Sequence, residues 1–166
     1  MLNTKKAIEE IAADIISVPF EFGSLPANYL AATNVPRSGR HVYPARNVVF
    51  SVENIDQYLA FLPEKARKAH LRFLVLHEER HVYQSRNLQY LLATNYMNLD
   101  GHGNTPPEKE ANEWVYKQAR NPLEKAVFNL AKIVQELDGK FFLSDKDRRK
   151  LAKASGFVFL ACAFTR

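Results

Sequence analysis

Apolar side chains recur at Ile8, Ile11, Ala12 and Ile15 between Thr4 and Ile16, a three-and-four spacing that predicts a first helix with Thr4 as its N-cap. From Val18 to Pro44 the pattern dissolves. Pro19, Gly23, Pro26, Pro36, Gly39 and Pro44 punctuate this stretch and predict a long loop region. β-branched and aromatic residues return over Asn47–Val52, predicting one strand, after which Asn54 is placed to cap a short amphipathic helix over Ile55–Leu62. Pro63 suits a helical first turn, and neither Gly nor Pro interrupts the chain from Glu64 to about Met97, so one long helix is expected there.

Gly101, Gly103, Pro106 and Pro107 mark a loop over Asp100–Pro107. Two further helices are expected, Glu108–Ala119 and Leu123–Leu137, split near Pro122, with Gly139 ending the second. Ser144 is placed to cap a last, basic helix; the run Gly156–Phe164 is apolar enough for either a buried strand or a buried helix, which periodicity does not separate. No internal repeat or low-complexity tract divides the chain, so residues 1–166 read as a single domain of the α+β class, mainly helical with a small sheet.

Composition narrows the class. At 166 residues the chain can bury one core without staples, and 46% hydrophobic with 25% charged residues argues against disorder and fibrous repeats. Cys162 has no second cysteine to pair with and sits in an apolar run, where a buried inert thiol in a reducing, cytoplasmic setting is expected. The first sixteen residues lack the order of an export signal, and the longest apolar run, Phe157–Phe164, is too short to span a bilayer, so no membrane association is expected. The net charge of +5 biases encounters toward anionic partners. Its basic residues are scattered, however, and the cluster Lys146, Arg148, Arg149, Lys150 is broken by Asp145 and Asp147, so a solvated helix face is expected rather than a nucleic-acid patch.

The chemistry concentrates in His77, Glu78, Glu79, Arg80 and His81, an HExxH segment inside the expected long helix. Two histidines four residues apart on a helix differ by only ~40° about its axis and ~6 Å along it, so both imidazoles can turn to one ion. Glu78 is then placed as the base that takes a proton from water. A catalytic zinc needs a third protein ligand and an open fourth position. Gln84 and Asn87 stand where the HExxHxxGxxH pattern would require glycine and histidine, so attention passes to a carboxylate on a later helix. Glu108, Glu110 and Glu113 are candidates; Glu110 is favoured because it shares a helix face with Glu113 beside the small Ala111, while Glu108 suits the helix dipole. Asp100 and His102 are lesser ligand candidates, and His41 and His70 read as surface or locally hydrogen-bonded residues. Tyr96, His102 and Tyr116 are candidates to stabilise an oxyanion, Tyr83 and Tyr90 read as packing residues, and the strand Asn47–Val52 is a candidate edge for an extended peptide.

The HExxH, followed some thirty residues later by Glu108, Lys109, Glu110, Ala111 and Asn112, resembles the ImmA/IrrE family of zinc metallopeptidases over roughly residues 47–120. Glu79 and Arg80 stand where Leu-Gly is commoner in that family, and Trp114 where Phe is usual; His81, Val82, Tyr83 and Gln84 resemble the HxYQ continuation of uncharacterised phage and bacterial relatives. The resemblance implies a zincin-like fold, zinc held by His77, His81 and Glu110 (the second glutamate of ExEAN), Glu78 as base, and peptide-bond hydrolysis, with a regulatory protein as substrate by analogy. The alternative from another class is a catalytically silent, zinc-containing module that binds protein or nucleic acid.

Overall fold

The computed structural model describes residues 2–27, 29–38, 41–87, 89–91, 105–137 and 143–164. Its elements run α1 (Thr4–Ala12), β1 (Phe20–Phe22), β2 (Ala31–Asn34), β3 (Arg37–Ser38), β4 (His41–Val42), β5 (Asn47–Phe50), α2 (Val52–Leu59), α3 (Glu64–Arg86), α4 (Pro106–Lys117), α5 (Pro122–Leu137) and α6 (Asp145–Phe164). The protein is mainly helical with a small mixed sheet.

Helix α3 is the axis of the fold and packs against α1, β2, α4 and α5, while α6 packs mainly on α5 and also touches α3. Every residue from Phe73 to Glu78 is buried, a stretch longer than one helical turn, so α3 is enclosed on all sides just where the HExxH begins. Phe73 and Phe128 meet edge to face at 5.5 Å between centroids, joining α3 to α5. A buried carboxylate makes the second joint: Glu124 of α5 accepts from Arg72 of α3 at 2.9 Å and from the backbone and guanidinium of Arg120. Burial raises the Glu124 carboxyl, but its hydrogen bonds from Arg120 and the charges of Arg72 and Arg120 outweigh that and hold it below the usual range.

The sheet has the order β1-β5-β2. β1 runs parallel to β5 with Phe22 opposite Phe50, and β2 runs antiparallel to β5 with Thr33 opposite Val48. Phe20 and Phe22 alternate with Glu21, so both rings lie on the face that meets Phe50, while Glu21 accepts from the Asn47 amide at 2.6 Å. β3 and β4 form a separate antiparallel pair.

Several expectations are revised. The region Val18–Pro44 is not one long loop, because it contributes β1, β2, β3 and β4; these strands are short and gain their stability from pairing partners distant in sequence, which local composition does not report. β5 is the central strand, paired on both sides, and therefore offers no edge to a peptide; an outer edge belongs to β2. The cap of α1 is Asn3, which accepts from the Lys6 amide, while the Thr4 hydroxyl is spent on Asp56 of α2. Likewise Ser51 caps α2, and Asn54 instead donates to the carbonyls of Leu25, Pro26 and Tyr29, tying the preceding loop to the helix.

The long helix ends at Arg86, short of Met97, because Asn87 leaves helical geometry and its side chain accepts from the Tyr90 amide, starting a new turn. Helix α4 begins at Pro106 and α5 at Pro122, with Asn121 accepting from the Glu124 amide. Ser144 does cap the last helix: its hydroxyl accepts from the Asp147 amide while the Asp147 carboxylate reaches back to Ser144. The run Gly156–Phe164 is helical, continuous with the basic half, whose Lys146, Arg148, Arg149 and Lys150 are exposed as expected. Cys162 is half-buried on this helix. No helix among the described residues is long and apolar enough to cross a membrane. Gly139 and the stretch 92–104 lie outside the described residues.

Candidate metal centre

His70, Phe73, His77 and His81 follow one another at spacings of three and four along α3, so their rings stack in a file on one face. His70 lies 5.7 Å from Phe73, Phe73 stacks on His77 at 5.8 Å, and His77 meets His81 edge to face at 4.6 Å. Phe73, buried in the core, backs the His77 ring and so restricts its tilt. His70 is buried rather than at the surface, with an unpartnered Nδ1, and desolvation lowers its pKa to about 4. His41 is exposed on β4.

A carboxylate closes the end of the file at His77 and His81. Glu108, in the first turn of α4, places Oε2 3.0 Å from His77 Nε2 and Oε1 3.1 Å from His81 Nε2, and those two nitrogens are 2.9 Å apart. The ligand atoms of the three residues all lie within 4.8 Å of one another, close enough to hold a metal ion. Burial by itself lowers the His81 pKa, yet hydrogen bonds and charge from Glu108, the charge of Glu78 and the bond to Gln84 together raise it to about 9. Glu108 is likewise pushed up by burial and pulled further down by hydrogen bonds and charge from both histidines, to well below the usual carboxylate range. Two imidazoles and one carboxylate thus converge on a place where a cation would satisfy all three. His77 Nδ1 and, one turn beyond Glu108, Asn112 Oδ1 are both buried without a hydrogen-bond partner.

Glu110, the expected third ligand, is turned elsewhere. Its carboxylate receives Arg80 Nε at 2.9 and 3.0 Å and Gln84 Nε2 at 2.7 Å. Arg80 is itself sandwiched, its guanidinium carbon 4.3 Å from the Tyr83 ring centre and 5.2 Å from that of Trp114. The structure thus brings Glu108 to the histidines and leaves Glu110 beside them as an anchor between α3 and α4. Residues two apart on a helix are ~200° apart about its axis, so the two glutamates of the EKEAN segment cannot both face the same point. Glu113 lies on a different flank, paired with Lys132 of α5.

Glu78 is 5% exposed, and its carboxylate accepts a 2.7 Å hydrogen bond from the Thr33 hydroxyl of β2. The edge strand of the sheet is therefore latched to the HExxH helix at its glutamate. Glu79, the next residue, accepts from the amide and hydroxyl of Ser17 at 2.8 Å each and fixes the α1–β1 connection. Tyr116 packs toward α5, with the Lys132 ammonium 5.9 Å from its ring centre, two helical turns from Glu108. Tyr83 is 47% exposed beneath Arg80, a surface stacking partner rather than a core residue. Tyr96, Asp100 and His102 lie outside the described residues.

Of two further contributors, one had a weak sequence signal and the other none. Gln84, three residues after His81, shares its helix face, which the spacing alone would have shown. Thr33 had none, since it lies in a stretch that reads as loop. No protein-family model, curated protein or solved structure matches this chain.

Proposed function

We propose that this chain is a zinc-dependent hydrolase acting on peptide bonds, with zinc held by His77, His81 and Glu108 and with Glu78 as general base. The observation that carries the reading is the convergence of His77 Nε2, His81 Nε2 and the Glu108 carboxylate on one point of a mostly buried helix face. The donor set fits zinc: two imidazole nitrogens and one carboxylate oxygen are the borderline ligands it takes in catalytic sites, which keep a fourth position open. Closed structural sites favour several cysteines, and this chain has only Cys162, on α6. When bound, zinc supplies Lewis acidity, polarising a carbonyl and making water nucleophilic at neutral pH.

The chain's own residues supply the remainder. Glu78, adjacent to His77, takes the proton of the attacking water and returns it to the leaving amine, with Thr33 aiming its carboxylate. Because Thr33 belongs to β2 at the outer edge of the sheet, an extended peptide added to that edge would lie across Glu78, which favours a peptide over a compact substrate. The resemblance to ImmA/IrrE metallopeptidases supports the same reaction and a zincin-like fold. The third ligand differs, since that family's second ExEAN glutamate is read as the ligand and here the first one faces the histidines.

Metal analysis of purified protein together with a peptide-library cleavage assay tests the reading. One zinc per chain, retained by Glu78→Gln while cleavage drops by at least about 100-fold, is expected. A chain that takes up no zinc, or a Glu78→Gln variant that cleaves as well as the parent, overturns it.

A further inference from the structure

Gln84 is fully buried and makes three polar contacts, each of which constrains the others. Its Nε2 donates to the Pro107 carbonyl at 3.0 Å and to the Glu110 carboxylate at 2.7 Å. Both of those oxygens are acceptors: the Pro107 carbonyl has no hydrogen to offer, and the Glu110 carboxylate is already taking a fork of hydrogen bonds from Arg80 Nε and Nη2. The amide cannot be turned over without pointing its oxygen at two other oxygens. Gln84 Oε1 must therefore face His81 Nδ1, 2.7 Å away, and Nδ1 must carry a hydrogen.

We propose that Gln84 is the positioning residue of the metal centre: it locks His81 as the Nδ1–H tautomer, leaving the Nε2 lone pair aimed at the ion, and is itself locked by the Arg80–Glu110 pair. This rests on the zinc reading above. The chain Arg80, Glu110, Gln84, His81 gives the second glutamate of EKEAN a role distinct from that of the first: Glu108 faces the site and Glu110 orients a ligand from behind. It also joins α3 to α4, since Gln84 holds Pro107 and Glu110 while Glu108 lies between them in sequence. A hydrogen bond to the far nitrogen of a ligating imidazole raises its donor strength and fixes its plane, and removing such a partner typically costs 10–100-fold in metal affinity.

The test uses zinc alone, measured by competition with a chromophoric chelator, on the full chain. Gln84→Leu keeps a buried side chain of similar size but removes the acceptor, and is expected to weaken zinc by about 10–100-fold. In the zinc-loaded parent protein, nitrogen-15 shifts of the His81 ring should show a protonated Nδ1 and a metal-bound Nε2, a readout independent of whether any variant folds. Unchanged zinc affinity in a folded Gln84→Leu chain, or metal on Nδ1, overturns the proposal and leaves the zinc reading standing. A parent chain with no zinc affinity removes both.

Discussion

Glu108 and Glu110 stand two residues apart on one helix and serve opposite sides of the same junction: Glu108 is 3.0 Å from His77 Nε2, whereas Glu110 is 2.9 Å from Arg80 Nε. The difference follows from helical phase and from partner chemistry. Arg80 occupies the fourth position of the HExxH and meets the later glutamate with a planar fork, which an arginine–carboxylate pair prefers to a point contact. With Glu110 so engaged, Glu108 is the carboxylate left to complete the histidine pair.

Substitution of the two glutamates separates them. Glu108→Gln removes an anionic donor at the centre and is expected to lower zinc affinity by more than about 100-fold, whereas Glu110→Gln, acting through Gln84, should lower it by no more than about 10-fold. Zinc titration checks this, and the reverse order of effects would return the ligand role to Glu110.

Thr33→Val removes the hydroxyl that aims Glu78 while keeping a β-branched residue suited to β2. A hydrogen bond to a charged group contributes about 1.5–3 kcal/mol, so kcat on any cleaved peptide should fall about 10-fold or more with zinc stoichiometry unchanged. Unaltered kcat would mean that Thr33 serves only the sheet.

His70 gives the folded protein an acid limit. Its folded pKa, depressed by burial to about 4, lies below the unfolded value near 6.5, so the unfolded chain takes up a proton that the folded chain refuses in that window. Stability is full above about pH 6.5 and falls as the pH drops toward 4, by roughly 3 kcal/mol. Urea melts of the parent and His70→Phe across pH 4–7 should show a shallower slope in the variant; identical slopes would assign the acid sensitivity elsewhere.

Phe128 is fully buried and supports Phe73, which in turn supports His77. Phe128→Ala is expected to cost about 3–5 kcal/mol by denaturant unfolding. If the loss were under about 1 kcal/mol, the file of rings would be less tightly packed against α5 than the structure shows.

Most helices of this protein are legible in its sequence because their signals are local. Pro63 and Pro122 near helix starts, Ser144 as a cap, and apolar spacing along α1 each act within a few residues of themselves. The HExxH is legible for the same reason: i and i+4 share a face by geometry alone. The strands around Pro26 and Pro36 were not, since Phe20–Phe22 and Ala31–Asn34 become strands only when β5 lies between them.

The sequence by itself therefore determined a helix carrying two histidines and a glutamate, and a later helix with three glutamates to offer a third ligand. Only the tertiary structure decided which glutamate arrives, because that depends on the rotation of α4 against α3, which Pro107, Gln84 and the Arg80–Glu110 fork set together. A rotation between two helices is fixed by contacts across them, and no spacing within either one encodes it.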